Sequence, residues 1–166
     1  MTEPYEGPLT TEYIGQALEL KDEDPAWVVK WPRSITHFHT YGLLTPFFKG
    51  LSQGKLMATK CTNPECSQKA TWLPPRADCP DCYARTEWVE VPAEGTIYTY
   101  TMLDYAGIGV ELKTPYWQID VAIKGVDTIF KGILLRGKPE IGMKVKAEFR
   151  AKNPTRTILD VWWVPA

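Results

Sequence analysis

The apolar positions of this chain fall into stretches with different rhythms, and the clearest lies in its second half. Between Tyr116 and Lys124, Trp117, Ile119, Val121 and Ile123 share one face opposite Gln118, Asp120 and Lys124, the period-two pattern of a half-buried strand. Met143 to Arg150 repeats it, with Val145, Ala147 and Phe149 set against Lys144, Lys146, Glu148 and Arg150. Gly95 to Leu103, Thr128 to Arg136 and Thr157 to Val164 complete five strand candidates. Gly125-Val126-Asp127 is short enough to join the second and third as a hairpin. Five short strands in roughly seventy residues predict a small closed barrel, for which the OB-fold is the best-known solution.

Upstream the rhythm changes. Phe47, Phe48 and Leu51 recur at helical spacing after Thr45-Pro46, an N-cap followed by proline at the first helical position. Gly50 and Gly54 keep this helix short, ending near Gln53 or Gly54. It is too small to bury two phenylalanines alone, so it must pack on the rest of the chain or on another protein. Residues 1–34 carry scattered prolines (Pro4, Pro8, Pro25, Pro32) and an acidic patch from Glu19 to Asp24, and read as an arm without a core of its own.

Between helix and barrel stand all four cysteines of the chain, as Cys61-x4-Cys66 and Cys79-x2-Cys82 with twelve residues between the pairs. Asn63-Pro64 and Pro80-Asp81 place a turn inside each pair. Two thiolate pairs on tight turns converge on one tetrahedral ion, which predicts a structural Zn2+ site. Four thiolates leave no open coordination position, so the metal holds structure and does no chemistry. Two disulfides would suit a secreted chain, but Met1-Thr2-Glu3 lacks the basic start of a signal peptide. A thioredoxin-like Cys79-x-x-Cys82 would leave Cys61 and Cys66 unexplained. The strand run Thr86 to Val91 and an extended Thr71 to Arg76 complete a ribbon around the metal. The expected fold is therefore mainly β: an N-terminal extension and short helix over 1–57, a zinc ribbon over 58–92, and an OB barrel over 93–166.

Nineteen basic and twenty acidic residues give a net charge of −1, with no global pull toward nucleic acid or an anionic membrane. No run approaches the roughly 20 apolar residues that span a bilayer, and the expected location is cytoplasmic. Seven Trp and eight Tyr exceed the needs of a small core and favour interfaces.

The order of parts resembles the thiolase-associated zinc-ribbon/OB-fold proteins, which accompany acyl-CoA enzymes. The matching stretches are Thr45-Pro46-Phe47-Phe48-Lys49-Gly50-Leu51, Gly54-Lys55-Leu56, Cys61 to Cys66, Leu73-Pro74-Pro75-Arg76, Cys79-Pro80-x-Cys82, Gly95 to Thr101 and Ile141 to Val145. Two departures stand out. The first cysteine pair encloses four residues where the family more often has two, and Tyr83 stands where it often has Gly. The resemblance implies a non-catalytic subunit bound to a thiolase-like enzyme, or alternatively to a hydratase or aldolase acting on acyl-CoA. Such a subunit would complete or shield the partner's site and touch the CoA moiety.

CoA or an acyl-CoA needs cations for its phosphates, and Lys49, Lys55, Lys60 and Arg76 flank the helix and ribbon. Phe47, Phe48, Leu51 and the loop residues Ile108 and Val110 are the candidates for the partner interface. No catalytic residue is expected: the cysteines are committed to metal, and Asp104 and Asp120 stand alone. His37 and His39 would share a strand face, with an interface role as the plainer reading. The rivals are a pure scaffold without CoA contact, and a single-strand nucleic-acid module using Tyr98, Tyr100 and Trp117 to stack bases. The second lacks a basic groove.

Overall fold

The computed structural model describes residues 42–105 and 112–166. Expectations placed on residues 1–41 and on the 106–111 loop, among them His37, His39, Ile108 and Val110, lie outside the described residues.

Helix α1 spans Thr45–Ser52. Its cap is Leu44, not Thr45: the Leu44 carbonyl accepts the Phe47 N–H at 3.0 Å, which draws the first turn one residue earlier. The helix closes at Gln53, whose N–H bonds the Gly50 carbonyl at 2.8 Å. Phe47 and Leu51 were expected at a partner interface, and the structure corrects this. They are 3% and 0% exposed, because so short a helix must bury its apolar stripe in the chain's own core. The Phe47 ring meets Phe130 of the barrel edge-on at 6.3 Å. Phe48 is only half-buried.

Three antiparallel strands follow: β1 (Leu56–Lys60), β2 (Thr71–Trp72) and β3 (Glu87–Val91), in the order β2-β1-β3. Thr59 stands opposite Trp72 on one side and Trp88 on the other.

The second half closes into a barrel of β4 (Glu94–Leu103), β5 (Tyr116–Ala122), β6 (Ile129–Leu134), β7 (Lys144–Phe149) and β8 (Val161–Pro165). Its order is β4-β5-β6-β8-β7, antiparallel except where β6 runs parallel to β8. This is the expected five-stranded OB arrangement. Ile97, Ile119, Val121, Phe130, Val145 and Trp163, each 1% exposed or less, fill the interior. The last strand starts later than the alternation implies. A 3-10 turn, Ile158–Asp160, precedes it, capped by the Thr157 hydroxyl, which accepts the Leu159 N–H at 3.2 Å. Beneath it the buried Asp160 carboxylate accepts the amides of Thr155 and Arg156 at 2.8 and 2.7 Å.

Ribbon and barrel share one core. A single apolar cluster runs from Phe47 and Leu51 through Leu56, Ala58 and Leu73 to the barrel interior. The β5–β6 hairpin also clamps β2. The Thr71 N–H donates to the Asp127 carboxylate at 2.7 Å, and the Asp127 N–H donates to the Thr71 carbonyl at 2.9 Å. The Thr128 hydroxyl accepts the Leu73 N–H at 3.0 Å and donates to its carbonyl at 2.7 Å. These bonds satisfy backbone groups that a two-residue strand leaves open.

Candidate metal centre

Each cysteine pair is presented by a turn whose bonds the local sequence supplies. In the first, the Asn63 side chain accepts the Glu65 N–H at 3.1 Å, and its carbonyl accepts the Cys66 N–H at 3.1 Å. In the second, the Cys79 carbonyl accepts the Tyr83 N–H at 2.9 Å, while the Cys79 N–H donates to the Ala84 carbonyl at 2.9 Å. A bond from the Cys61 N–H to the Ala70 carbonyl, 3.0 Å, ties the first turn to the strand that follows it.

These turns bring all four sulfurs within 4.8 Å of one another. Cys61 and Cys82 approach to 3.6 Å, and Cys66 and Cys79 to 3.8 Å. Four sulfurs held about 2.3 Å from a central ion stand at the corners of a tetrahedron with edges of about 3.8 Å. The cluster therefore fits a tetrahedral metal and can hold one. All four cysteines are free of disulfide bonds. Cys61, Cys66 and Cys79 are buried, and Cys82 is half-exposed.

The surroundings set the thiols apart electrically. Burial raises the proton affinity of Cys61, whereas the Ala84 backbone and then the Asn63 side chain, bonding to Cys82, draw its thiol below the ordinary range. A cation bound at the centre would favour the thiolate form of the cysteines that hold it.

The segment that leads into the second cysteine pair is pinned at Arg76 and Ala77 by two buried hydroxyls. Thr59 Oγ1 accepts the Arg76 N–H at 2.8 Å, and the Thr86 hydroxyl donates to the carbonyls of Arg76 and Ala77 at 2.5 and 3.1 Å. The Arg76 guanidinium then lies 5.3 Å from the Trp72 ring centre, a cation–π contact.

Comparison with known proteins now bears on this geometry. Residues 88–150 match the family described as the C-terminal OB-fold domain of ChsH2. A DUF35 domain-containing scaffold protein of Methanocaldococcus jannaschii is 32% identical over 100 residues, covering 57% of this chain and 67% of that protein. The chain belongs to the DUF35 family. Among solved structures, a chain of the Ltp2-ChsH2(DUF35) aldolase superposes with a TM-score of 0.57 at 22% identity, over 80% of this chain and 98% of that one. A DUF35 protein from Sulfolobus solfataricus gives a TM-score of 0.52 at 21% identity, over 73% and 83%. Both likenesses are of fold.

Of the cations expected around CoA, two have separate local engagements in this DUF35 chain. Lys55 pairs with Glu90 at 2.8 Å, and Arg76 rests on Trp72. Lys60 ends β1 opposite Thr71 and Glu87, and Lys49 is exposed on α1. The hydroxyls of Thr59 and Thr86 and the Asp127–Thr128 clamp were not legible in the sequence, because a threonine in or beside a strand looks like an ordinary strand former and Asp127-Thr128 like ordinary turn residues.

Tyr83 bears on the second knuckle directly. Its φ is 59°, in the left-handed region, and its side chain is exposed. That conformation costs a non-glycine residue roughly 1–2 kcal/mol. Glycine bears no such cost but loses more freedom on folding. The substitution Tyr83→Gly is expected to raise the stability of the metal-loaded protein by about 0.5 kcal/mol. Chemical denaturation checks this; a lowered midpoint would show that the exposed ring makes a stabilising contact.

Proposed function

We propose that this DUF35 protein is a non-catalytic, zinc-stapled accessory subunit of an enzyme acting on acyl-CoA thioesters. Zinc in the four-thiolate centre fixes the ribbon, the ribbon is clamped to the barrel, and the pair forms one platform for a catalytic partner. The observation that carries this reading is the kinship with a scaffold protein over two thirds of that relative. The barrel shared with a chain of the Ltp2-ChsH2(DUF35) aldolase supports a carbon–carbon bond-cleaving partner. A thiolase or an aldolase is that partner; both release a shorter acyl-CoA or carbonyl compound from a β-oxygenated thioester. Arg76, fixed over Trp72, together with Lys49 and Lys60, offers positive charge to the phosphates of CoA. Phe48, Ile108 and Val110 remain the proposed contacts to the partner.

The scaffold reading without CoA contact has the same kinship behind it, and one experiment separates the two. The full-length protein is purified at native concentration, bound protein and bound CoA are identified, and thiolysis and retro-aldol activity of the partner are measured with and without it. A stoichiometric catalytic partner whose activity depends on this chain, with CoA retained and lost in Arg76→Ala, is the expected result. A partner whose activity and CoA binding ignore Arg76 reduces the role to scaffolding. A chain that retains nucleic acid and no catalytic partner overturns the proposal.

A further inference from the structure

Strand β4 is ten residues long, but only its first part is paired on both edges. Glu94 to Thr96 face β7 in register, and Ile97 continues that edge: its N–H donates to the Met143 carbonyl and its carbonyl accepts the Gly142 N–H, both at 2.9 Å. Beyond Ile97, among the described residues, β4 is laddered to β5 alone, from Thr99 opposite Asp120 to Leu103 opposite Tyr116. Among the described residues nothing pairs with the other edge of this half-strand, and Tyr98 to Met102 are all exposed.

The direction of the backbone groups on that edge follows from the ladder. Ile97 bonds away from β5, so its pair with Val121 is non-hydrogen-bonded; the register shift between Ile97 and Thr99 then makes Thr99, Thr101 and Leu103 the residues that bond to β5. Tyr100 and Met102 turn their N–H and C=O groups to the open side. Natural edges of this kind are blunted by charge or proline. Here the sequence is Tyr98-Thr99-Tyr100-Thr101-Met102, without either.

We propose that two copies of this chain pair antiparallel along β4, about a two-fold axis at Thr101. The stretch is self-complementary in that register. Tyr100 of each copy falls opposite Met102 of the other, so the outward N–H and C=O groups of these residues close four backbone hydrogen bonds. Thr101 meets its own counterpart, a favourable cross-strand pair. The tyrosine rings lie beside methionine sulfur. With no charge on the stretch, nothing repels the second copy. The contact is short, so the dimer is a weak one that forms with rising concentration. This inference does not depend on the identity of any catalytic partner.

The test uses the full chain, loaded with zinc, in sedimentation velocity across a concentration series. The wild type is expected to shift from monomer to dimer. T101K and T101D each place like charges on the axis and should remain monomeric while keeping the wild-type unfolding midpoint, since Thr101 is exposed. Mixing the two variants should restore the dimer, because opposite charges then meet at the axis. A wild type that stays monomeric throughout, variants that still dimerise, or a mixture that fails to recombine overturns the proposal.

Discussion

Replacing Cys79 by serine is expected to empty the metal centre and to destabilise the barrel along with the ribbon. Cys79 is 0% exposed, and its sulfur stands 3.8 Å from Cys66, so no water can take its place without opening the site. Apparent binding free energies of structural zinc are about 10–16 kcal/mol near neutral pH, and in such centres binding energy is folding energy. The two cysteine turns have little else to hold them together: among the described residues, the apolar cluster around the sulfurs consists of the cysteines themselves. The loss spreads because Leu56, Ala58 and Leu73 belong to the same core as Ile119 and Trp163. A loss of several kcal/mol in a chain of this size corresponds to a fall of about 10 °C or more in the unfolding midpoint. Metal analysis and thermal unfolding of Cys79→Ser test this, and wild-type protein stripped by a chelator should match the variant. A variant that keeps full metal content and the wild-type midpoint would remove the metal from the account of the fold. The pH dependence has a definite sign. A metal at this centre needs deprotonated sulfurs, and burial raises the proton affinity of Cys61, so metal affinity is expected to fall as the solution is acidified.

The parts legible in the sequence are those that depend on spacing along the chain. Cysteine pairs on turn residues converge wherever the strands between them go, and Ile119, Val121 and Ile123 alternate inward because one side of β5 faces the barrel. The hairpin at Gly125-Val126-Asp127 was readable for the same reason: Gly125 adopts a φ of +80°, which a tight turn requires. What stayed hidden depends on partners far away in sequence. Phe47 and Leu51 carry an apolar stripe that looks the same whether it meets another protein or Phe130, eighty residues on. Asp127 and Thr128 pass for turn residues, yet they bond the backbone of β2 more than fifty residues earlier. The register shift at Tyr98, and the open edge it leaves, has no signature in an alternating Tyr-Thr run. Ligand choice was therefore local information, and the joining of ribbon to barrel was not.

The barrel interior is intolerant of added volume where β6 crosses Trp163, and Gly132→Ala is expected to cost about 3 kcal/mol. Gly132 lies on β6 opposite Ile119, and the indole of Trp163 from β8 lies across it. A Cβ built on Gly132 would stand 2.5 Å from Trp163 Cδ1, far inside van der Waals contact. Trp163 has no room to retreat. It is 0% exposed, its ring packs against Phe130 at 6.3 Å, and its carbonyl is tied to the Leu135 N–H at 2.9 Å. Phe130 in turn rests on Phe47, so a displaced indole pushes toward α1 and the core it shares with the ribbon. Overpacking a well-filled interior typically costs roughly 1–3 kcal/mol, and a rigid ring with no exposed side puts this site at the upper end. The side of Trp163 that yields first distinguishes two outcomes in denaturant unfolding followed by tryptophan fluorescence. A lowered midpoint with unchanged metal content confines the strain to the barrel. A lowered midpoint with metal loss shows that the shared core carries it through Leu73 and β2 to the sulfur cluster, as continuous packing requires. A midpoint equal to the wild type would mean that β6 and β8 can separate at Leu134 and Trp163, where a single parallel pair joins them, and the barrel would have to be regarded as open at that seam.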